Sequence, residues 1–249
     1  MPATATQPKT KLLRHTALVR VTHWLTFVAF VLLLVTGLEI VISHPRFYWG
    51  ETGNVNMKPL FVIPIPSSRD TVPTGYGYVM PDQNGWSRYL HFEMAWLLVL
   101  TGLLYIAVSL LNGHFRKNLL PTPGQRSIGA ILSRFKSYFR RVKADPAEAR
   151  SYNVLQRWAY IAVIFILFPL IIWTGLALSP SFNAAFPYAV NILGGRQSAR
   201  TLHFFVTWAI VLFFLVHVTM VALSGFRSRM AAMITGRIPS HEDTTEERQ

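Results

Sequence analysis

Residues 199–224 read ARTLHFFVTWAIVLFFLVHVTMVALS, and the fold turns on them. The stretch has no acid and a single cation, Arg200, near its start. It is long enough and apolar enough to cross a bilayer as one helix. Two histidines, His203 and His217, lie within it, where ionisable side chains are rare and usually functional. Their 14-residue separation returns to within about 40° of the same helix face and sets them about 21 Å apart along the axis. One helix face therefore carries an imidazole at each of two depths.

Three other apolar stretches of similar length, Val19 to Ser43, Ser87 to Leu111 and Asn153 to Leu178, join Ala199 to Ser224 as candidate spans. The chain has 249 residues, 51% hydrophobic and 14% charged, with mean hydropathy +0.33. That is too apolar for an ordinary soluble domain. The expected architecture is an all-α integral membrane protein, a bundle of four transmembrane helices. Residues 1–18 would form an N-terminal segment and 19–224 the membrane domain, with loops over 44–86 and 112–152. Residues 225–249 would form a tail, disordered from Ile238.

Charge orients the bundle. Loop 112–152 holds Arg116, Lys117, Arg126, Arg134, Lys136, Arg140, Arg141, Lys143 and Arg150 against Asp145 and Glu148, and Lys9, Lys11, Arg14 and Arg20 precede or open the first span. The positive-inside rule then puts that loop and both termini in the cytoplasm, as expected for a multi-pass protein of a bacterial inner membrane. The first apolar run is too long for the core of a cleavable signal. The net charge of +13 reads as this topology signal, not as nucleic-acid binding, since no separate basic domain carries it. Ile128, Leu132, Phe135, Tyr138 and Phe139 keep helical spacing and predict an amphipathic helix on the inner lipid surface. Loop 44–86, rich in Pro and Gly and carrying Phe47, Tyr48 and Trp49, reads as an ordered cap or as a docking loop with aromatic anchors for a partner.

The chain contains no cysteine, which excludes disulfides, thiolate-held iron–sulfur clusters and covalent c-type haem. Of eight histidines, His15, His44, His114 and His241 fall outside the spans or at their ends, while His23, His91, His203 and His217 fall inside. Alternating helix direction pairs His23 with His217 on the cytoplasmic side and His91 with His203 on the outer side. A separation of about 21 Å along the fourth span excludes a binuclear cluster, and two histidines per level fall short of a zinc ligand set. Two b haems stacked across the membrane, each held by imidazoles from two helices, fit this pattern.

Arg20, Arg88 and Arg200 each stand three residues before His23, His91 and His203, hence on the ligand face one turn nearer water. There they could pair with haem propionates or simply snorkel to the interface. Thr36-Gly37, Thr101-Gly102 and Thr174-Gly175 recur once in each of the first three spans. These pairs suit either helix packing or close approach to a porphyrin. At the cytoplasmic mouth of the third span, Tyr152, Asn153, Gln156 and Arg157 offer polar groups to a quinone headgroup. Asn153 and Gln156 could equally form a helix cap. Because the chain has no nucleotide-binding fingerprint, partners must deliver and accept electrons.

The run RVTHW at residues 20–24, YNVLQR at 152–157, and GGRQSARTLHF ending beside His203 with His217 fourteen later resemble the prokaryotic cytochrome b561 superfamily. Within it they are most similar to thiosulfate-reductase-type cytochrome b subunits, relatives of the formate dehydrogenase gamma subunit and hydrogenase cytochrome b. The resemblance covers nearly the whole chain. It implies a dihaem b membrane subunit moving electrons between the quinone pool and a molybdenum or iron–sulfur redox subunit, with Asn153, Gln156 and Arg157 in the quinone site. Loop 44–86 is longer than in the shorter members, so the docking surface does not carry over. Two other readings stand beside this one. The chain could be a free-standing cytochrome b561 that oxidises a diffusible reductant such as superoxide, or a solute or metal transporter with histidine relay groups, which a haem spectrum would eliminate.

Overall fold

The computed structural model describes residues 15–54, 56–64, 83–113, 154–223 and 225–236, together with 120, 127, 129, 132, 133 and 136. Four helices are long and apolar enough to cross a membrane. They are α1 (Ala17–Ser43), α2 (Gln83–Leu111), α3 (Val154–Ala177) and α6 (Arg196–Leu223). The four expected spans are therefore present, with ends moved by a few residues. Large apolar side chains such as Val28, Leu100, Leu103, Leu212 and Leu215 point outward, as a lipid-facing belt requires.

Helix α3 is not regular throughout. Val163–Leu167 forms a π-type turn between two α-helical halves, and the second half opens at Phe168 with Pro169 in its first turn. Proline lacks the amide that would bond four residues back, and its ring crowds the carbonyl there. Widening the turn over Phe165 relieves that crowding.

The end of the bundle between α1 and α2 and between α3 and α6, here the hairpin end, adds a short strand pair and two short helices to the expected bundle. Arg46–Phe47 (β1) and Phe61–Val62 (β2) pair antiparallel, with Arg46 opposite Val62 and Phe47 opposite Phe61. Two short helices, α4 (Pro180–Ala185) and α5 (Pro187–Asn191), link α3 to α6. Each begins with proline, the residue whose fixed φ and missing N–H suit a first helical position. Trp173 Nε1 donates to the Ala189 carbonyl at 3.0 Å, and Ala177, Val190, Leu193 and Ala199 form a small buried core between these elements.

The first part of loop 44–86 is a cap on α6. Gly50 O accepts from Gln197 N at 3.0 Å and Ser198 N at 3.1 Å, and Gly50 N donates to Ser198 Oγ at 2.7 Å. Glu51 Oε2 accepts from Arg196 N at 3.0 Å, and Tyr48 O accepts from Thr201 Oγ1 at 2.7 Å. These contacts satisfy amides that the first turn of a helix leaves without partners, and they put a carboxylate at its positive end. Phe47 stacks on Phe61 and meets Phe204. The expectation that Phe47 and Tyr48 are anchors for a partner is thereby corrected, since they are 1% and 3% exposed and are consumed inside the chain. Trp49, 59% exposed, is the member of that run that faces outward.

At the opposite end, here the terminal end, the first part of the expected tail forms a helix, α7 (Phe226–Thr235). Arg20 donates to the Ile234 carbonyl, and Trp24 Nε1 donates to the Met233 carbonyl at 3.3 Å. The start of α1 thus engages carbonyls that the last turn of α7 cannot bond internally. The tail beyond 236, and most of the expected amphipathic segment, lie outside the described residues, though 129, 132, 133 and 136 are helical.

Candidate haem-binding sites

The four histidines meet in the two pairs that helix direction implies. His91 on α2 and His203 on α6 have ring centroids 6.4 Å apart with planes inclined at 62°. His23 on α1 and His217 on α6 also stand 6.4 Å apart, inclined at 51°. A metal bound by two opposed imidazoles needs about 2 Å for each metal–nitrogen bond, plus roughly 1.2 Å from nitrogen to ring centre, which sums to about 6.4 Å. Both pairs have the spacing of two axial imidazoles on one iron. Among the described residues no group of three or more His, Cys, Asp or Glu side chains could hold a metal ion. The donor set is therefore two imidazoles per level, which suits an iron whose other four ligands come from a macrocycle.

The surroundings of the two pairs differ. At the hairpin end, Thr36 Oγ1 lies 2.9 Å from His91 Nδ1 and donates to the Leu32 carbonyl at 2.7 Å. Thr174 Oγ1 lies 3.0 Å from His203 Nδ1 and donates to the Leu170 carbonyl at 2.7 Å. The next residue in each case is glycine. A Cβ on Gly37 would reach 3.4 Å from His91 Cε1, and one on Gly175 would reach 3.2 Å from His203 Cε1. Both Thr-Gly pairs thus pack on an imidazole of the hairpin-end pair. The third pair does not, since Thr101 is buried while Gly102 faces open space.

At the terminal end, His217 stacks on Phe213 with centroids 5.8 Å apart and is met edge-on by Tyr160. His23 Nδ1 and Arg20 Nε are buried and have no hydrogen-bond partner. Buried polar atoms of this kind call for a group that completes them. A haem carboxylate would complete the guanidinium of Arg20.

The three arginines one turn before a ligand have distinct settings. Arg20 bridges to α7 as described. Arg200 donates to the His44 carbonyl and lies with its guanidinium carbon 4.9 Å from the centre of the Phe47 ring. Arg88 is exposed near the start of α2. Burial, then the charge of Arg200 and, less strongly, that of Arg88 hold His44 below its usual range, against a hydrogen bond to Ile40 that raises it. The hairpin end is therefore electropositive where a haem edge would emerge.

Of the quinone residues read from sequence, Asn153 lies outside the described residues, and Gln156 lies in the first turn of α3. Arg157 is buried and donates to the Leu120 carbonyl at 2.7 Å. It therefore ties the mouth of α3 to the loop before it. The sequence reading missed the histidine contacts of Thr36 and Thr174. Their recurrence beside glycine was visible, but nothing in a linear spacing says which side chain a neighbouring helix presents.

The four apolar helices and the paired imidazoles are those of a membrane cytochrome of the b type. The chain belongs to the prokaryotic cytochrome b561 family, whose model matches residues 14–236. That membership carries haem b as the cofactor and electron transport as the activity. The chain is 32% identical over 222 residues to a putative protein-methionine-sulfoxide reductase subunit, YedZ1, of Azospira oryzae, covering 89% of this chain and 96% of that one. It is 23% identical over 233 residues to a probable Ni/Fe-hydrogenase B-type cytochrome subunit of Cupriavidus necator, covering 89% and 84% respectively.

Proposed function

We propose that the chain is a dihaem cytochrome b subunit that carries electrons across a bacterial inner membrane, between the quinone pool and a redox partner. The observation that carries this reading is the pair of 6.4 Å imidazole separations, both involving α6 and spaced by 14 residues along it. His91 and His203 would hold one haem b at the hairpin end, and His23 and His217 the other at the terminal end. Bound there, each haem supplies a one-electron iron couple with no open coordination position. Arg88 and Arg200 would pair with propionates at the hairpin end, and Arg20 would do so at the terminal end.

The basic loop supports a cytoplasmic terminal end. Quinone then reacts beside the His23/His217 haem, at the mouth of α3 near Asn153, Gln156 and Arg157, and the redox partner docks at the hairpin end. The named relatives, a putative sulfoxide reductase subunit and a probable hydrogenase cytochrome subunit, support an oxidoreductase partner, for which we propose a molybdenum or iron–sulfur subunit. Haem content tests the proposal. The purified chain should yield two haem b by pyridine haemochrome, and His203→Ala and His217→Ala should each remove a different one. One haem in the wild-type chain, or loss of the same haem in both variants, overturns it.

A further inference from the structure

We infer that Thr36 and Thr174 are positioning residues that fix the tautomer and ring plane of the two histidines at the hairpin end and so tune one haem alone. The inference rests on the reading of His91 and His203 as axial ligands of one iron. A threonine hydroxyl has a single hydrogen, and in both residues carbonyls of the preceding turn stand ready to take it, four residues back at 2.7 Å and three back at 3.3 Å for Thr36 and 3.1 Å for Thr174. The oxygen therefore meets Nδ1 as an acceptor, at 2.9 Å for His91 and 3.0 Å for His203. An acceptor at that place selects the Nδ1–H tautomer and leaves the Nε2 lone pair for the metal.

The arrangement occurs twice through different helices. Thr36 on α1 serves His91 on α2, and Thr174 on α3 serves His203 on α6, so each hairpin prepares its own ligand. The glycine that follows each threonine leaves room for the imidazole edge, with an added Cβ coming as close as 3.2 Å at Gly175. His23 has no such partner, because its Nδ1 is buried without one. A ligand imidazole that donates its outer N–H to an acceptor is a stronger base toward the metal. Stronger donation favours ferric over ferrous iron, so these hydroxyls hold the midpoint potential of the hairpin-end haem down.

The test uses the full chain purified with its haems, comparing Thr36→Val and Thr174→Val with Thr36→Ser and Thr174→Ser. The Val variants remove the threonine oxygen beside Nδ1 and keep the branched shape. Potentiometric titration should show one haem moving to higher potential while the other stays, and the low-spin EPR line of that same haem should shift as its ring planes turn. The Ser variants should restore both values. Thr101→Val, a buried threonine without a histidine contact, should move neither haem. If a Val chain fails to accumulate, the corresponding Thr→Ala variant is read by the same two measurements. Unchanged potentials and spectra, equal shifts of both haems, or Ser variants that behave like Val would each overturn the inference while the two-haem reading stands. A wild-type chain lacking a haem at His91/His203 would overturn that reading itself, and haem analysis registers it separately.

Discussion

Gly195 leaves no room for a side chain between itself and Glu51. An ideal Cβ there would stand 2.7 Å from the Glu51 amide nitrogen and 2.8 Å from its Cα, and the Gly195 φ of +100° lies in the left-handed region. The first residues of the loop after α1 press directly on the entry to α6, whose second turn carries His203. Gly195→Ala should therefore push the cap off α6, with about 1–2 kcal/mol of backbone cost added to the clash. The expected result is loss of the haem at His91/His203 with the His23/His217 haem retained, measured as a halved haem content and a single remaining potentiometric wave.

Phe47 tests the same cap from its apolar side. It is buried against Phe61 and Phe204, so Phe47→Ala should destabilise the hairpin end by about 3–5 kcal/mol. The haem at His91/His203 should then be lost at a lower temperature than the other. Trp49→Ala, at an exposed position, should leave both haems in place and can weaken only an external contact. Thermal melts followed in the Soret band distinguish the two variants.

The charge at the hairpin end predicts a further difference between the haems. A guanidinium beside a propionate favours the ferrous state by opposing its net negative charge, so Arg200→Gln should lower the potential of the hairpin-end haem and loosen its binding. Arg88→Gln should do the same less strongly, because an exposed charge is better screened. His44, held below its usual range by burial and then by Arg200, should titrate at higher pH in Arg200→Gln, since its protonated form loses a repelling neighbour. Histidine-selective NMR of the chain in micelles measures that shift, and potentiometry measures the first two. A rise in potential on Arg200→Gln would remove the arginine from the propionate site.

The spans and the pairing of the four histidines were legible in the sequence because both follow from simple periods. A bilayer fixes helix length, and alternating direction fixes depth, so His23, His91, His203 and His217 could be sorted before any coordinates. What escaped was contact between elements. Phe47 and Tyr48 look like exposed loop aromatics until β1 and β2 fold the loop onto α6. Arg20 sits one turn before His23, yet it also reaches α7, a helix whose mixed polarity gave no span-like signal. The prolines at 180 and 187 were available as helix starts, and their role became clear only with α4 and α5 in place.

The quinone site carries the last prediction. On the proposed two-haem reading, an electron that enters by the His91/His203 haem must leave near His23/His217, or make the reverse journey, and the polar mouth of α3 lies on that side. Gln156 stands in the first turn of α3, one residue before Arg157, whose guanidinium is already engaged with the Leu120 carbonyl. Asn153→Leu combined with Gln156→Leu should abolish quinol-linked turnover and weaken binding of a quinol-analogue inhibitor, with haem content and partner-driven haem reduction unchanged. Arg157→Leu should instead disturb the fold at this end, because it removes a buried donor and leaves a carbonyl unpaired, at about 1–3 kcal/mol. Loss of haem in the double variant would reduce Asn153 and Gln156 to a structural cap. Unchanged quinone kinetics would move the site to the other haem, beside Arg88 and Arg200.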